Sequence, residues 1–163
     1  MKALRLRRLF ADGRILLTPL DHGVTMGPIP GLADLQQTVA DLVESGQINA
    51  VVMHRGTLEA VSPLLARTSQ VASILHLHGS VGFGPNADRK VLVSSVEDAL
   101  RLGADGVSVH INLGGPRDDE MLAELGAVGS ACQRWGMPLL AMMYIRGGPP
   151  PEDLSAAQAT ATR

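Results

Sequence analysis

The chain has 163 residues, a formal net charge of −2 and 45% hydrophobic residues, which is enough for the core of one domain. The small charge and the 2% aromatic content give no basis for attraction to nucleic acid or an anionic membrane, or for base stacking. The single cysteine, Cys132, excludes an intrachain disulfide and a cysteine-based zinc site.

The first 23 residues are basic but contain neither an unbroken apolar stretch nor a small-residue cleavage site. We therefore interpret them as mature sequence rather than a signal peptide. No apolar run approaches the length that spans a bilayer. These features predict a cytoplasmic protein without a membrane partner.

Five short apolar runs follow along the chain, and each ends at a polar residue capable of chemistry. Their hydrophobicity is continuous rather than alternating, which is typical of strands buried on both faces of a parallel sheet. The runs are residues 15–20 before Asp21, 50–53 before His54, 71–75 before His76 and His78, 106–109 before His110, and 138–143 before Tyr144.

Helical patterns lie between these runs. Apolar residues recur at helical spacing over residues 32–43, 58–65 and 121–132, and glycines follow the first and last of these segments. The segment 94–97 (Ser-Ser-Val-Glu) fits a capping box that opens a further helix, which Gly103 ends. Strands that alternate with helices predict an α/β fold.

The spacing of the strand ends predicts a partial TIM (β/α)₈ barrel. Positions 21, 54, 78, 110 and 144 are separated by 33, 24, 32 and 34 residues, and such a barrel uses roughly 31 residues per unit. Residues 149–160 resemble the start of a fifth helix, and no stop signal follows. We expect residues 1–163 to be the N-terminal part of a single barrel domain, about five βα units, truncated in the fifth helix.

Catalytic residues of parallel α/β folds lie at the carboxyl ends of the strands. Asp21 could transfer a proton there, or it could be a turn residue or a helix N-cap. Tyr144 could act as a general acid or as a core tyrosine. Arg146 could bind an anionic substrate group or be a solvated surface side chain.

Four histidines form a second candidate group at the strand ends. His76 and His78 are two residues apart, so both would share one face of a strand, and His54 and His110 follow neighbouring strands. They could form a metal centre, or be neutral side chains that fill the upper barrel layer. The chain has two lysines. Lys2 lies in a basic N-terminus that we expect to be mobile, and Lys90 lies in a loop, so neither is predicted at a strand end.

Four segments carry a resemblance to a known family. They are residues 19–29 (PLDHGVTMGPI), 97–110 (EDALRLGADGVSVH), 135–139 (WGMPL) and 141–147 (AMMYIRG). Together they resemble the archaeal-type class I fructose-bisphosphate aldolases, a DeoC-like family. Within it, the chain is most similar to the 2-amino-3,7-dideoxy-D-threo-hept-6-ulosonate synthases and related aminohydroxybenzoate-pathway aldolases of aromatic amino acid biosynthesis.

The resemblance implies a barrel that uses a lysine Schiff base, without a metal or another cofactor. It implies Asp21 as proton acceptor and Tyr144 as proton donor. Further barrel-mouth residues would be His54, His76 and His110. It also implies substrate contacts from two segments, Asp21, His22, Gly23, Val24 and Thr25, and Tyr144, Ile145 and Arg146.

The family's Schiff-base lysine would follow Arg163, so the resemblance implies that this chain is inactive by itself. The implied partners are a phosphorylated keto sugar or dihydroxyacetone phosphate and aspartate semialdehyde, with a homo-oligomer at full length. Three alternatives stay open: cleavage of fructose bisphosphate, a metal-dependent hydrolase built on the histidines, and a non-catalytic fragment.

Overall fold

The computed structural model describes residues 1–10, 13–68, 70–82 and 89–146. In chain order the elements are α1 (Lys2–Leu9), β1 (Leu17–Pro19), α2 (His22–Met26), α3 (Leu35–Ser45), β2 (Ala50–Met53), α4 (Arg55–Leu65), β3 (Ala72–His76), β4 (His78–Gly79), β5 (Val91–Leu92), α5 (Val96–Arg101), β6 (Gly106–Leu113), α6 (Asp118–Trp135) and β7 (Leu139–Ile145).

Five strands form one parallel sheet in the order β1-β2-β3-β6-β7. Both faces of its centre are buried, since alternate side chains enter two different apolar clusters. Val51 and Met53 pack beneath the helices, whereas Ala50 and Val52 face the inside of the curled sheet. The predicted partial barrel of five parallel strands is confirmed.

Local signals explain where the helices begin and end. The Asp34 side chain accepts a hydrogen bond from Gln37 N at 3.0 Å and caps α3, and Gly46 ends it in the left-handed conformation with φ of 62°. The capping box of α5 pairs Ser95 with Asp98, one residue beyond the predicted Ser94–Glu97 segment.

The N-terminus differs from the expected mobile arm, because residues 2–9 form α1 at the amino ends of the strands. Leu9 is 4% exposed and packs inside the curled sheet. Arg5 Nη1 donates to Ala104 O at 2.6 Å, and Arg8 Nε lies 3.2 Å from Asp105 Oδ1. Lys2 therefore lies at the end of the sheet opposite Asp21.

A second difference concerns the connection between β3 and α5. Here β4 and β5 form a small antiparallel hairpin in which His78 pairs with Leu92. His76 and His78 thus belong to two different strands rather than to the single predicted strand, but their rings still lie close together, with centroids 6.5 Å apart. The predicted fifth helix, over residues 149–160, lies outside the described residues. No helix in the described ranges is long and apolar enough to cross a membrane.

Candidate active site

A cavity of about 290 Å³ opens at the carboxyl ends of the parallel strands. Each of the five strands contributes at least one residue to the cavity wall, either from within the strand or from the residues directly after it. The lining residues are Pro19, Asp21, His22, Thr25, Met26, His54, His76, His78, Gly79, Ser80, Lys90, His110, Met142, Tyr144 and Arg146.

Asp21 occupies the N-cap position of α2, yet its side chain accepts no capping hydrogen bond. Its carboxylate instead faces two imidazoles. Oδ2 lies 3.5 Å from Nε2 of His76, and Oδ1 lies 3.7 Å from Nδ1 of His22. With a side chain 17% exposed, Asp21 is held within the wall while still reaching the cavity. This placement suits a base better than a helix cap.

His76 links Asp21 to the interior of the sheet. Its Nδ1 lies 2.8 Å from Oγ of Ser108, which is fully buried. Burial lowers the pKa of His76 to about 4, against an opposing effect of the Asp21 carboxylate and with further lowering by the neighbouring histidines. A neutral His76 can accept the Ser108 hydroxyl hydrogen at Nδ1 and direct its Nε2 hydrogen at Asp21.

The other three strand-end histidines have hydrogen bonds that fix their rings. His78 Nδ1 accepts from His110 N at 2.9 Å, so the His78 hydrogen resides on Nε2, which lies 2.9 Å from Glu124 Oε2. His54 Nε2 donates to the His78 carbonyl at 2.9 Å. Burial lowers the pKa of both His78 and His110. His110 Nε2 donates to Asn112 Oδ1 at 3.0 Å. The rings of His54, His78 and His110 are therefore hydrogen-bonded parts of the wall.

Within the described ranges, no three His, Cys, Asp or Glu side chains converge as a site that could hold a metal ion. The reason is visible in the ring contacts. The rings of His54 and His76 meet edge to face with centroids 5.2 Å apart, and those of His76 and His78 are 6.5 Å apart. Their nitrogens are directed at protein groups rather than at a common point.

Tyr144 lies on β7, opposite Asn112 on β6. Its ring stacks on the imidazole of His110, with centroids 4.4 Å apart and planes inclined by 19°. The Arg146 guanidinium carbon lies 5.3 Å from the centre of the Tyr144 ring, and Arg146 Nε donates to Asn112 Oδ1 at 3.3 Å. These contacts fix the phenol at the cavity wall, where 42% of Tyr144 is exposed.

Lys90 also lines the cavity, although its position in the sequence does not predict this. It directly precedes β5, and its Nζ donates to Ser80 Oγ at 2.5 Å. The expectation that Lys90 lies away from the strand ends was wrong, because Lys90 lines the cavity at the carboxyl ends of the parallel strands. The remaining lysine, Lys2, is in α1 at the opposite end.

The structure brings together most of the predicted site residues but not all. Gly23, Val24 and Ile145 are absent from the cavity lining, and the last two are more than half exposed. Ser80 and Ser108 were not anticipated. No sequence signal marks a serine that supports a histidine or a lysine across the sheet, since those contacts depend on strand pairing.

Residues 15–162 match the DeoC/LacD family of aldolases. The chain belongs to this family. A relative from Streptomyces griseus, a 2-amino-4,5-dihydroxy-6-oxo-7-(phosphonooxy)heptanoate synthase, is 44% identical over 149 residues, covering 90% of this chain and 53% of that protein. A 2-amino-3,7-dideoxy-D-threo-hept-6-ulosonate synthase from Halobacterium salinarum is 38% identical over 146 residues, covering 90% and 54%.

Among solved structures, an archaeal fructose 1,6-bisphosphate aldolase is similar to this chain, with a TM-score of 0.75 and 28% sequence identity. The match covers 92% of this chain and 60% of the archaeal aldolase. A Schiff-base-forming fructose-1,6-bisphosphate aldolase gives a TM-score of 0.74 at 27% identity with the same coverage. The resemblance drawn from the four sequence segments is confirmed. The chain spans about half the length of the curated relatives it matches.

Proposed function

We propose that this chain supplies the acid–base part of a Schiff-base aldolase site that joins a keto sugar phosphate or dihydroxyacetone phosphate to aspartate semialdehyde. The observation that carries the proposal is the shared cavity of Asp21 and Tyr144 in a chain of the DeoC/LacD family. Both side chains lie at the carboxyl ends of the strands, where barrel enzymes have their catalytic groups.

The two groups suit the two proton transfers of an aldol addition. A primary amine condensed with the donor ketone supplies the electron sink for this chemistry. The Asp21 carboxylate takes the proton from the donor carbon, and that carbon then bonds to the aldehyde carbon of the acceptor. The phenol of Tyr144 gives its proton to the oxygen that was the aldehyde oxygen. His76 and Ser108 position Asp21 through the contacts described above.

The choice of substrates rests on the relatives. The compound named for the Streptomyces griseus synthase carries an amino-acid group at one end of a seven-carbon chain and a phosphate at the other. Such a compound is the expected product of a three-carbon keto phosphate and a four-carbon amino-acid semialdehyde. At 44% identity this synthase is a better guide than the fructose-bisphosphate aldolases, which are 27–28% identical.

Fructose-bisphosphate cleavage is the second candidate, and the structural similarity to archaeal aldolases favours it. The two reactions share the donor and differ in the acceptor. No observation on the described residues favours a metal-dependent hydrolase. Cytoplasmic location and homo-oligomer formation at full length stay predictions.

We further propose that the Schiff-base amine comes from outside these 163 residues, so that the chain has no aldolase activity by itself. Lys2 is at the wrong end of the sheet. Lys90 reaches the cavity, but it directly precedes a strand of the small two-stranded sheet instead of following a strand of the parallel sheet, and its Nζ donates a hydrogen bond to Ser80 Oγ at 2.5 Å.

The test joins this chain to the part of the Streptomyces griseus protein that it does not match. Condensation of dihydroxyacetone phosphate with aspartate semialdehyde should appear only in the joined protein. There, Asp21→Asn and Tyr144→Phe should each lower turnover by about 10²–10⁴-fold. Asp119→Asn, on an exposed part of α6, is the matched carboxylate control. Full turnover by Tyr144→Phe would remove that residue from the mechanism.

A further inference from the structure

Helix α6 directs the carboxylate of Glu124 at the interior of the protein. Glu124 lies three residues after Met121 and four before Val128, both buried, so the three share one face of the helix. The Glu124 side chain is 33% exposed, and its Oε2 lies 2.9 Å from Nε2 of His78, which is fully buried. Because such a face is normally apolar, the contact with His78 explains the carboxylate at this position.

The polar atoms of the His78 ring are used within the protein. Nε2 donates to Glu124, and Nδ1 accepts from His110 N at 2.9 Å. The His78 carbonyl accepts from His54 Nε2, also at 2.9 Å. His78 lines the cavity, but both of its ring nitrogens are thus directed at protein groups. The residue joins helix α6 to two of the histidines at the strand ends.

His110 extends this connection to the phenol. Its backbone N–H is held by His78, and its imidazole donates to Asn112 Oδ1 at 3.0 Å. The same imidazole stacks on the Tyr144 ring with centroids 4.4 Å apart, a geometry typical of attractive aromatic pairs. Two hydrogen bonds and one ring contact therefore connect Glu124 to Tyr144. Since 42% of Tyr144 is exposed, its position depends on the contacts of its buried side.

We propose that Glu124 is a positioning residue for Tyr144 and acts through His78 and His110. This assignment rests on the proposed function and deepens it, because it adds a residue outside the cavity lining to the support of the proton donor. Removal of the Glu124 acceptor would leave a buried N–H of His78 unsatisfied, which favours movement of the ring and release of His110. A displacement of about 1 Å can cost about 10²-fold in rate.

The functional test uses the joined protein. Glu124→Leu removes the acceptor and should lower turnover about tenfold or more, while imine formation, measured by borohydride trapping, stays unchanged. Glu124→Gln should retain most of the turnover. The reason is that burial lowers the pKa of His78, so its neutral ring needs an acceptor oxygen rather than a negative charge. Asp119→Leu, at an exposed position of α6, is the matched control and should not change turnover.

A structural readout comes from nuclear magnetic resonance. The 163 residues contain one tyrosine, so labelling this part of the joined protein alone makes Tyr144 the single labelled tyrosine. Nuclear Overhauser contacts between the rings of Tyr144 and His110 should be present in the wild type and in Glu124→Gln. They should be lost in Glu124→Leu. If Glu124→Leu fails to fold, Glu124→Asp, whose carboxylate is one methylene shorter, should show a smaller loss of turnover and of the ring contact.

Three results would overturn the assignment. They are wild-type turnover and ring contact in Glu124→Leu, equal losses in Glu124→Leu and Glu124→Gln, and a fall in imine formation as large as the fall in turnover. Failure of the proposed function looks different. In that case the wild-type joined protein would have no aldolase activity, and the ring contact would still depend on Glu124.

Discussion

The pH dependence of stability should depend on His76. In the unfolded chain this imidazole has an ordinary pKa of about 6.5, whereas burial lowers its pKa to about 4 in the folded protein. The folded state therefore binds fewer protons than the unfolded state between these values. The stability that neutral His76 provides is fully present above pH 6.5 and is lost as the pH falls towards 4.

The magnitude follows from the size of the shift. A lowering of about 2.5 pKa units at about 1.4 kcal/mol per unit corresponds to about 3.5 kcal/mol over the whole range. At pH 5 the free energy of unfolding should be lower than at pH 7 by about 2 kcal/mol from this residue alone. Since burial also lowers the pKa of His78 and His110, the wild-type chain should lose more than that amount.

Urea unfolding at several pH values and one protein concentration, followed by circular dichroism, measures this effect. His76→Gln should abolish about 2 kcal/mol of the loss between pH 7 and pH 5, while its stability at pH 7 also reports the lost packing. His22→Gln is the control, because it removes a cavity histidine whose side chain is 45% exposed. If His76→Gln retained the full wild-type pH dependence, the assignment of a buried, neutral His76 would be refuted.

Three further outcomes are expected. Ser95→Ala should lower the free energy of unfolding by about 1 kcal/mol because it breaks the capping box of α5, whereas Ser94→Ala should cost less; equal losses would contradict the assigned cap. The isolated chain should be poorly soluble or self-associate, because β1 and β7 each pair on only one side within the described sheet. A sharp monomeric sedimentation boundary with cooperative unfolding would contradict this expectation. In the joined protein, Tyr144→Phe should impair turnover more than imine formation, as borohydride trapping would measure, because the phenol acts after the imine has formed.

The strands could be predicted because their hydrophobicity is continuous over whole runs. The predicted residues 50–53 coincide with β2, where every residue is buried. The stops at Gly46 and Gly136 also follow from local chemistry, since both adopt the left-handed conformation. These features depend on neighbours in the chain, which a sequence shows directly.

The elements that were missed depend on distant contacts. In α1 the apolar residues are separated by arginines, and only packing of Leu9 inside the sheet explains its position. The strands β4 and β5 have two residues each, too few for a periodic pattern. The place of Lys90 in the cavity follows from their pairing and could not be inferred from the residues around it.

The origin of the Schiff-base amine can be tested directly by peptide mapping with mass spectrometry, after borohydride reduction of the joined protein with dihydroxyacetone phosphate. We expect a reduced adduct on one lysine outside residues 1–163, and none on Lys2 or Lys90. An adduct on Lys90 would show that this chain carries its own Schiff-base amine and would contradict the proposed division of the site. The absence of any adduct would contradict the Schiff-base mechanism itself.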